Sequence, residues 1–180
     1  MKYSNPNVPS SYQQNDLGRT LYELVLDLKP KVIVEFGALH GYSTIAMAMA
    51  LDKLGRGIIK SYDLWEKYPY KHTTREDTMF NIKSYGLEKY VELHYGDFWK
   101  WKPEKCDLFY IDISNTGETI KKAEKKMRKY AKRIVFEGGS EQRDCVPWML
   151  ENYKKPINGC GVKYDILNPD FPSISIICKK

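Results

Sequence analysis

Val34–Leu51 reads VEFGALHGYSTIAMAMAL. An apolar run, KVIVEF at 31–36, ends on a carboxylate and a phenylalanine; glycines follow at 37 and 41, and an Ala/Met-rich stretch then begins. Continuous β-branched residues mark a strand buried on both faces, as in a parallel sheet covered by helices. The stretch 42–54, closed by Gly55, has the length and composition of a helix. Two glycines between them let the chain turn sharply from one to the other. Strand, glycine turn and helix in that order open an α/β unit.

The rest of the chain continues the alternation. DLGRTLYELVLDL at 16–28 puts Leu17, Leu21, Leu24 and Leu28 on one helical stripe. After the opening unit come a strand GIIKSYD (57–63), a helix TREDTMFNIKSY (74–85) stopped by Gly86, and strands YVELHYGD (90–97) and CDLFYID (106–112). A basic helix and the strand RIVFEG (133–138) follow, and RDCVPWMLENY (143–153) reads as a further helix with Pro147 near its start. GVKYDILN (161–168) and SISIICK (173–179) are strands whose link is too short for a crossover helix. They must form a hairpin, so one of them runs antiparallel. The expected architecture is a doubly wound, mostly parallel α/β sheet with one antiparallel strand at its end. The 180 residues suffice for one domain, 16–180, preceded by a polar, Pro/Ser-rich arm over 1–15 that reads as flexible.

The formal net charge is +6, and its distribution matters more than its sum. Residues 120–133, IKKAEKKMRKYAKR, carry eight Lys/Arg and one Glu, so this segment alone is +7 and the remainder is near −1. Ile120, Ala123, Met127, Tyr130 and Ala131 fall at helical spacing. The segment therefore reads as an amphipathic helix with a solvated cationic face, not as a nucleic-acid surface. No apolar run is long enough to span a bilayer and the first residues do not resemble a signal peptide, so no membrane role is expected. Cys106, Cys145, Cys160 and Cys178 are scattered without a C-x-x-C pair. They read as free thiols in a reducing, cytoplasmic setting, with no zinc site.

Ligands of open α/β sheets bind beyond the carboxyl ends of the strands, and each of the first three ends carries an acid. Glu35 favours a cation, while the helix opening at Tyr42 and Ser43 favours an anionic group at its free N–H groups. An amino-acid zwitterion, or a sulfonium carrying one, meets both demands. The pyrophosphate fingerprint G-x-G-x-x-G is missing, since 37–41 read G-A-L-H-G. Strand two ends at Asp63, where a carboxylate can accept both hydroxyls of a ribose. Strand three ends in Gly96–Asp97–Phe98, an acid able to accept from an adenine amine and an aromatic able to cover the ring. His40 reads as a turn residue on the rim, His72 as part of a loop and His94 as structural. Trp99 and Trp101 read as packing groups.

The core EFGALHGYS resembles the first motif of class I S-adenosylmethionine (SAM)-dependent methyltransferases. It looks most like the catechol and caffeoyl-CoA O-methyltransferases and their small bacterial relatives, where an E-x-G-x-x-x-G-Y-S core is typical. The resemblance takes in the leading helix, 35–44, Asp63, Gly96–Asp97, YID at 110–112 and the closing hairpin. It implies a Rossmann-like seven-stranded sheet with the final strand inserted antiparallel. It also implies SAM held by Glu35, Gly37, Gly41, Tyr42, Ser43, Asp63, Gly96, Asp97 and Phe98. Glu35 and Ser43 would lie near the methionine part, Asp63 on the ribose, and Asp97 with Phe98 at the adenine. The implied reaction is methyl transfer to a small-molecule acceptor, at a hydroxyl oxygen, with Asp112 and Glu137 as catalytic residues.

In the catechol-type relatives a divalent metal lowers the pKa of the acceptor hydroxyl. Asp112 and Glu137 fall where its acidic ligands are, and oxygen ligands suit magnesium or manganese. The pattern departs at Gly138, where an Asn would complete the ligand set, and at Asn115, where the catechol enzymes have a Lys base. Beyond strand five, FEGGSEQRD reads either as a glycine-permitted turn capping the next helix or as a segment whose Ser140, Glu141 and Arg143 grip a polar acceptor. A nucleic-acid methyltransferase would need a base-flipping N/D-P-P-Y motif after strand four, where DISN stands; NPDF at 168–171 sits in the hairpin instead. The second alternative, a non-catalytic cofactor-binding subunit, is motivated by the incomplete metal set. Little inserted material is present to build a lid beyond 65–75 and the N-terminal arm, so the acceptor pocket is either open or completed by a second copy in a homodimer.

Overall fold

The computed structural model describes residues 1–69, 72–114, 116–138 and 162–177. Helix α1 (Leu17–Leu28) leads into strand β1 (Val32–Phe36), helix α2 (Tyr42–Leu54) and strand β2 (Ile58–Asp63). A 3-10 turn (Trp65–Lys67), helix α3 (Arg75–Ser84), a second 3-10 turn (Glu88–Tyr90) and strand β3 (Val91–Tyr95) follow. Then come β4 (Cys106–Ile111), α4 (Gly117–Met127), β5 (Ala131–Glu137), β6 (Tyr164–Ile166) and β7 (Ile174–Ile177). The strands make a seven-stranded sheet in the order β3-β2-β1-β4-β5-β7-β6. β2 pairs in parallel with β1 and β3, and β4 with β5, whereas β7 runs antiparallel to both β5 and β6. The expected mostly parallel α/β sheet with an antiparallel terminal strand is therefore present. The helix expected over 143–153 lies outside the described residues, as do Asn115, Ser140, Glu141, Arg143, Cys145, Cys160 and Cys178.

By compactness the chain divides into residues 1–102 and 103–180. In the first unit, α2 is buried from Tyr42 through Leu51. Its apolar residues run all round the helix, as they must in a helix enclosed by protein. Gly18 allows α1 to lie close to α2: a Cβ there would stand 3.1 Å from the Ala46 Cβ and 3.2 Å from the Tyr42 Cζ. α3 begins with a capping box, in which Thr74 accepts from the Asp77 N–H and Asp77 accepts from the Thr74 N–H. This satisfies two orphan donors at a helix start.

The stretch 1–15, expected to be flexible, is packed onto this unit. Pro6 and Val8 are buried. The Tyr3 hydroxyl donates to Asp16, the Tyr42 hydroxyl donates to Asn5 Oδ1 at 2.8 Å, and the Asn7 N–H donates to the Tyr85 hydroxyl at 2.6 Å. The reason lies in the arm's aromatics rather than its polar composition. The Tyr3 ring lies 5.0 Å from Tyr22, and the Tyr12 ring 6.4 Å from Tyr42. Such pairs add to the apolar area that tyrosines bury.

In the second unit, Ile120, Ala123 and Met127 form the buried stripe of α4. The helix expected through Arg133 stops at Met127, because Ala131 opens β5 opposite Cys106 in the parallel ladder. Tyr130 is consequently exposed in the connecting turn. Two cations of the basic face are paired within it, Lys122 with Glu118 at 2.6 Å and Arg128 with Glu124 at 2.8 Å. Cys106 is a buried free thiol, and burial pushes its pKa up to about 12, so it is inert as a nucleophile. Among the described residues no helix is long and apolar enough to cross a membrane.

Candidate functional site

The turn between β1 and α2 holds three residues in left-handed backbone: Gly37 (φ 97°), Leu39 (φ 46°) and Gly41 (φ 90°). The two glycines adopt it freely, but a leucine there costs on the order of 1–3 kcal/mol and persists only if its surroundings enforce it. They do. The Leu39 N–H donates to Asp63 Oδ2 at 2.9 Å, and its carbonyl accepts from the Trp65 indole N–H at 3.2 Å and from the Thr78 hydroxyl. The next carbonyl, that of His40, accepts from the Asn81 side chain at 3.0 Å. The chain then enters α2 at Gly41 with no side chain capping the N-terminus and no acid in the first turn. His40 itself is half-buried, and burial lowers its pKa against the opposing pull of Asp77.

Glu35 lies directly beneath. It is fully buried and accepts from Ser43 at 2.5 Å, Thr44 at 2.6 Å and Ser61 at 2.7 Å. Burial raises its pKa, and the three hydroxyls oppose that rise. The structure thus joins Glu35 to Ser43, the two residues that the resemblance places near the methionine part of a ligand. It joins them by a bond to each other, under the first turn of α2. Thr44 and Ser61 complete this network and had no signal in the sequence beyond their place beside it.

Asp63, at the end of β2, binds the backbone on two sides. Besides the Leu39 amide on Oδ2, its Oδ1 accepts from the amides of Leu64 at 2.6 Å and Trp65 at 3.0 Å. A carboxylate offers about four acceptor positions. Three are occupied, which leaves room on Oδ2 for one ligand hydroxyl rather than for both. Trp65 was not singled out by the sequence. Its place two residues after a strand-end acid was the available signal.

At the end of β3, Gly96 is needed because Tyr62 lies against it: a Cβ would stand 2.7 Å from the Tyr62 Cδ1. Asp97 is half-buried and accepts from the Trp99 N–H at 2.9 Å. Phe98, expected over an adenine ring, is 3% exposed and packs edge-on against Phe36 at 5.2 Å. The neighbouring Trp99, read as a packing group, is 52% exposed. Trp101 does pack, against Phe36 at 5.0 Å and Tyr62 at 5.6 Å. His94 stacks on Tyr62 at 5.1 Å.

In the second unit, Asp112 follows β4 and is half-buried, while Glu137 ends β5 and is buried. The register pairs Ile111 with Phe136, so the two acids follow neighbouring residues of adjacent parallel strands. The Ser173 hydroxyl donates to Glu137, and the Gly138 N–H donates to the Ser173 carbonyl at 3.0 Å. Among the described residues no group of three or more His, Cys, Asp or Glu forms a candidate metal site. Magnesium draws several of its six oxygens from water and is held by one or two carboxylates, so Asp112 and Glu137 are oxygen donors of the kind it takes.

A family model described as a methyltransferase domain matches residues 34–136, from within β1 to the penultimate residue of β5 and more than half of the chain. The chain belongs to this methyltransferase family. Among curated proteins, none matches it. Solved structures share the fold of the methyltransferase domain. The SAH-bound methyltransferase PaMTH1 of Podospora anserina superposes with a TM-score of 0.64 at 20% identity, over 96% of this chain and 80% of its own. The O-methyltransferase of Bacillus cereus, in complex with SAH, gives 0.59 at 19%, over 97% and 84%. TomG of Streptomyces achromogenes, an O-methyltransferase involved in tomaymycin synthesis and solved with SAM, gives 0.59 at 16%, over 97% and 83%.

Proposed function

We propose that this methyltransferase domain takes its methyl group from SAM and transfers it to a hydroxyl oxygen of a small molecule in the cytoplasm. The observation that carries the reading is the uncapped N-terminus of α2, entered through a glycine turn and flanked by Asp63. Such a terminus suits a carboxylate, and the remaining acceptor position of Asp63 suits a ribose hydroxyl. These residues fit the methionine and ribose parts of SAM. The O-methyltransferase neighbours, two of them solved with SAM or SAH, support the same choice of donor.

When bound, SAM supplies a methyl group already activated on a sulfonium. The chain's own work is to hold and align. The first-turn amides of α2 receive the carboxylate. Glu35, bonded to Ser43 and Thr44, fixes the first turn of α2 from below rather than by contact with the donor. Gly37 and Gly41 let the backbone approach, and Tyr42 ties the start of α2 to the N-terminal arm. At the third strand, Asp97 accepts from the adenine amine, Gly96 keeps the approach open for Tyr62, and Trp99 rather than Phe98 offers an accessible aromatic face. Asp112, half-buried, takes the acceptor proton, which needs hydrogen-bond reach to the hydroxyl. Glu137 fixes the strand end beside it. A divalent cation, if bound, would be held by Asp112 and Glu137 and would lower the pKa of the acceptor hydroxyl.

Calorimetric titration with SAM and with S-adenosylhomocysteine (SAH) tests the donor. A panel of phenols, sugars and hydroxylated metabolites, read by mass spectrometry, tests the acceptor. Binding with transfer to an oxygen is the expected result. Absence of any heat removes the donor assignment, and transfer only to RNA removes the small-molecule one.

A further inference from the structure

Among the described residues of the first unit, Asp16, Lys29, Leu39 and Trp65 adopt left-handed backbone without being glycine, and the last two (φ 46° and 44°) are bonded to each other. The Trp65 indole N–H donates to the Leu39 carbonyl, and the amides of both residues donate to the same Asp63 carboxylate. Outliers of this kind survive only where neighbours over-determine them, and they gather at ligand sites. Trp65 is buried and meets the Tyr95 ring edge-on at 5.5 Å. Tyr95 is itself held, its hydroxyl donating to Glu66 and the Lys67 ammonium lying 3.5 Å over its ring. The indole is therefore fixed in direction. It has a single N–H, and that donor is committed to main chain. Phenylalanine would offer the same kind of packing without it.

We propose that Trp65 is a positioning residue for the methyl donor: its indole N–H locks the Leu39 peptide in the left-handed conformation that presents the opening amides of α2, without touching the donor. The inference rests on residues 37–43 being the donor site. Thr78 gives the same carbonyl a second donor, so the lock has two bolts on one oxygen.

A double-mutant cycle, read by calorimetry with SAH, tests it. Trp65→Phe keeps an aromatic ring and removes the N–H. Leu39→Gly removes the need for a lock, since glycine takes positive φ without strain. Trp65→Phe should weaken SAH binding roughly tenfold with Leu39 present and less than about threefold in the Leu39→Gly background, the coupling that a shared element produces. In steady state it should raise KM for SAM and leave kcat near that of the wild type. Phe109→Leu, in the core of β4, controls for lost packing: its melting temperature should fall and its SAH affinity should hold. If Trp65→Phe binds SAH as the wild type does, or loses equally in both backgrounds, the proposal is overturned. Should that variant fail to fold, Thr78→Val removes the other donor to the same carbonyl and enters the same cycle, with the same criterion. Wild-type protein that binds no SAH overturns the donor-site reading itself; a wild type that binds while the cycle shows no coupling overturns only the role of Trp65.

Discussion

Glu35 carries a carboxyl group with no exposed surface, and its three hydroxyl donors do not fully offset the cost of charging it there. Its folded pKa lies above the ordinary 4.5. The folded chain thus holds the proton more tightly than the unfolded one. This contribution to stability is fully present below the unfolded value and is lost as pH rises through the folded value. Glu35→Gln does not titrate, so the melting temperature of the wild type should fall relative to the variant as pH rises above about 4.5. Thermal unfolding over a pH series checks this, and a difference flat in pH contradicts it. Asp63 is bound differently, its carboxylate accepting from three backbone amides with one position to spare. Asp63→Ala removes a charged acceptor and frees Leu39, so SAH affinity should fall by about 1.5–3 kcal/mol, roughly tenfold to a hundredfold. Asp112→Asn should leave that affinity intact and lower kcat by about a hundredfold, the scale of a lost general base. Calorimetry beside mass-spectrometric rates separates the two variants.

Among the elements, α1 and α2 depend on one missing side chain. Gly18→Ala places a methyl within 3.2 Å of both Ala46 and Tyr42, and 2.9 Å from the Tyr3 hydroxyl. Overpacking of this kind costs about 1–3 kcal/mol, measurable by urea unfolding, and it should loosen the arm that bonds Tyr42. The elements were readable from the chain because each had a local signature. KVIVEF could hardly be anything but a covered strand, and a short link between 161–168 and 173–179 forced a hairpin. The end of α4 was not readable, because Tyr130 and Ala131 fit a helical stripe and only pairing with β4 assigns Ala131 to β5. The packed arm was misjudged for a similar reason: its composition is polar, yet two tyrosines anchor it. At the site, the turn 37–41 and the acids at strand ends were legible as types. What each acid binds was not. Asp63 holds amides of residues one, two and twenty-four positions away, and such partners appear only once the strands are paired.

For the molecule as a whole, the proposed donor contacts all fall within residues 1–102, while the proposed acid and its neighbour fall within 103–180. A ligand that binds only the folded form stabilises it by mass action, by about 2.7 kcal/mol at a hundred times its dissociation constant. For a chain of this size that corresponds to a rise in melting temperature of roughly 5–10 °C. The rise belongs to whichever transition unfolds the donor-binding unit. If calorimetric scans show one cooperative transition, SAH should move all of it. If they resolve two, SAH should shift one of them in the wild type but much less in Asp63→Ala, and leave the other near its original temperature. Phe109→Leu, in the second unit, should lower that other transition without altering the SAH-induced shift of the first. A shift confined to the transition that Phe109→Leu lowers would instead put the donor contacts on residues 103–180, against the geometry of the turn at 37–41.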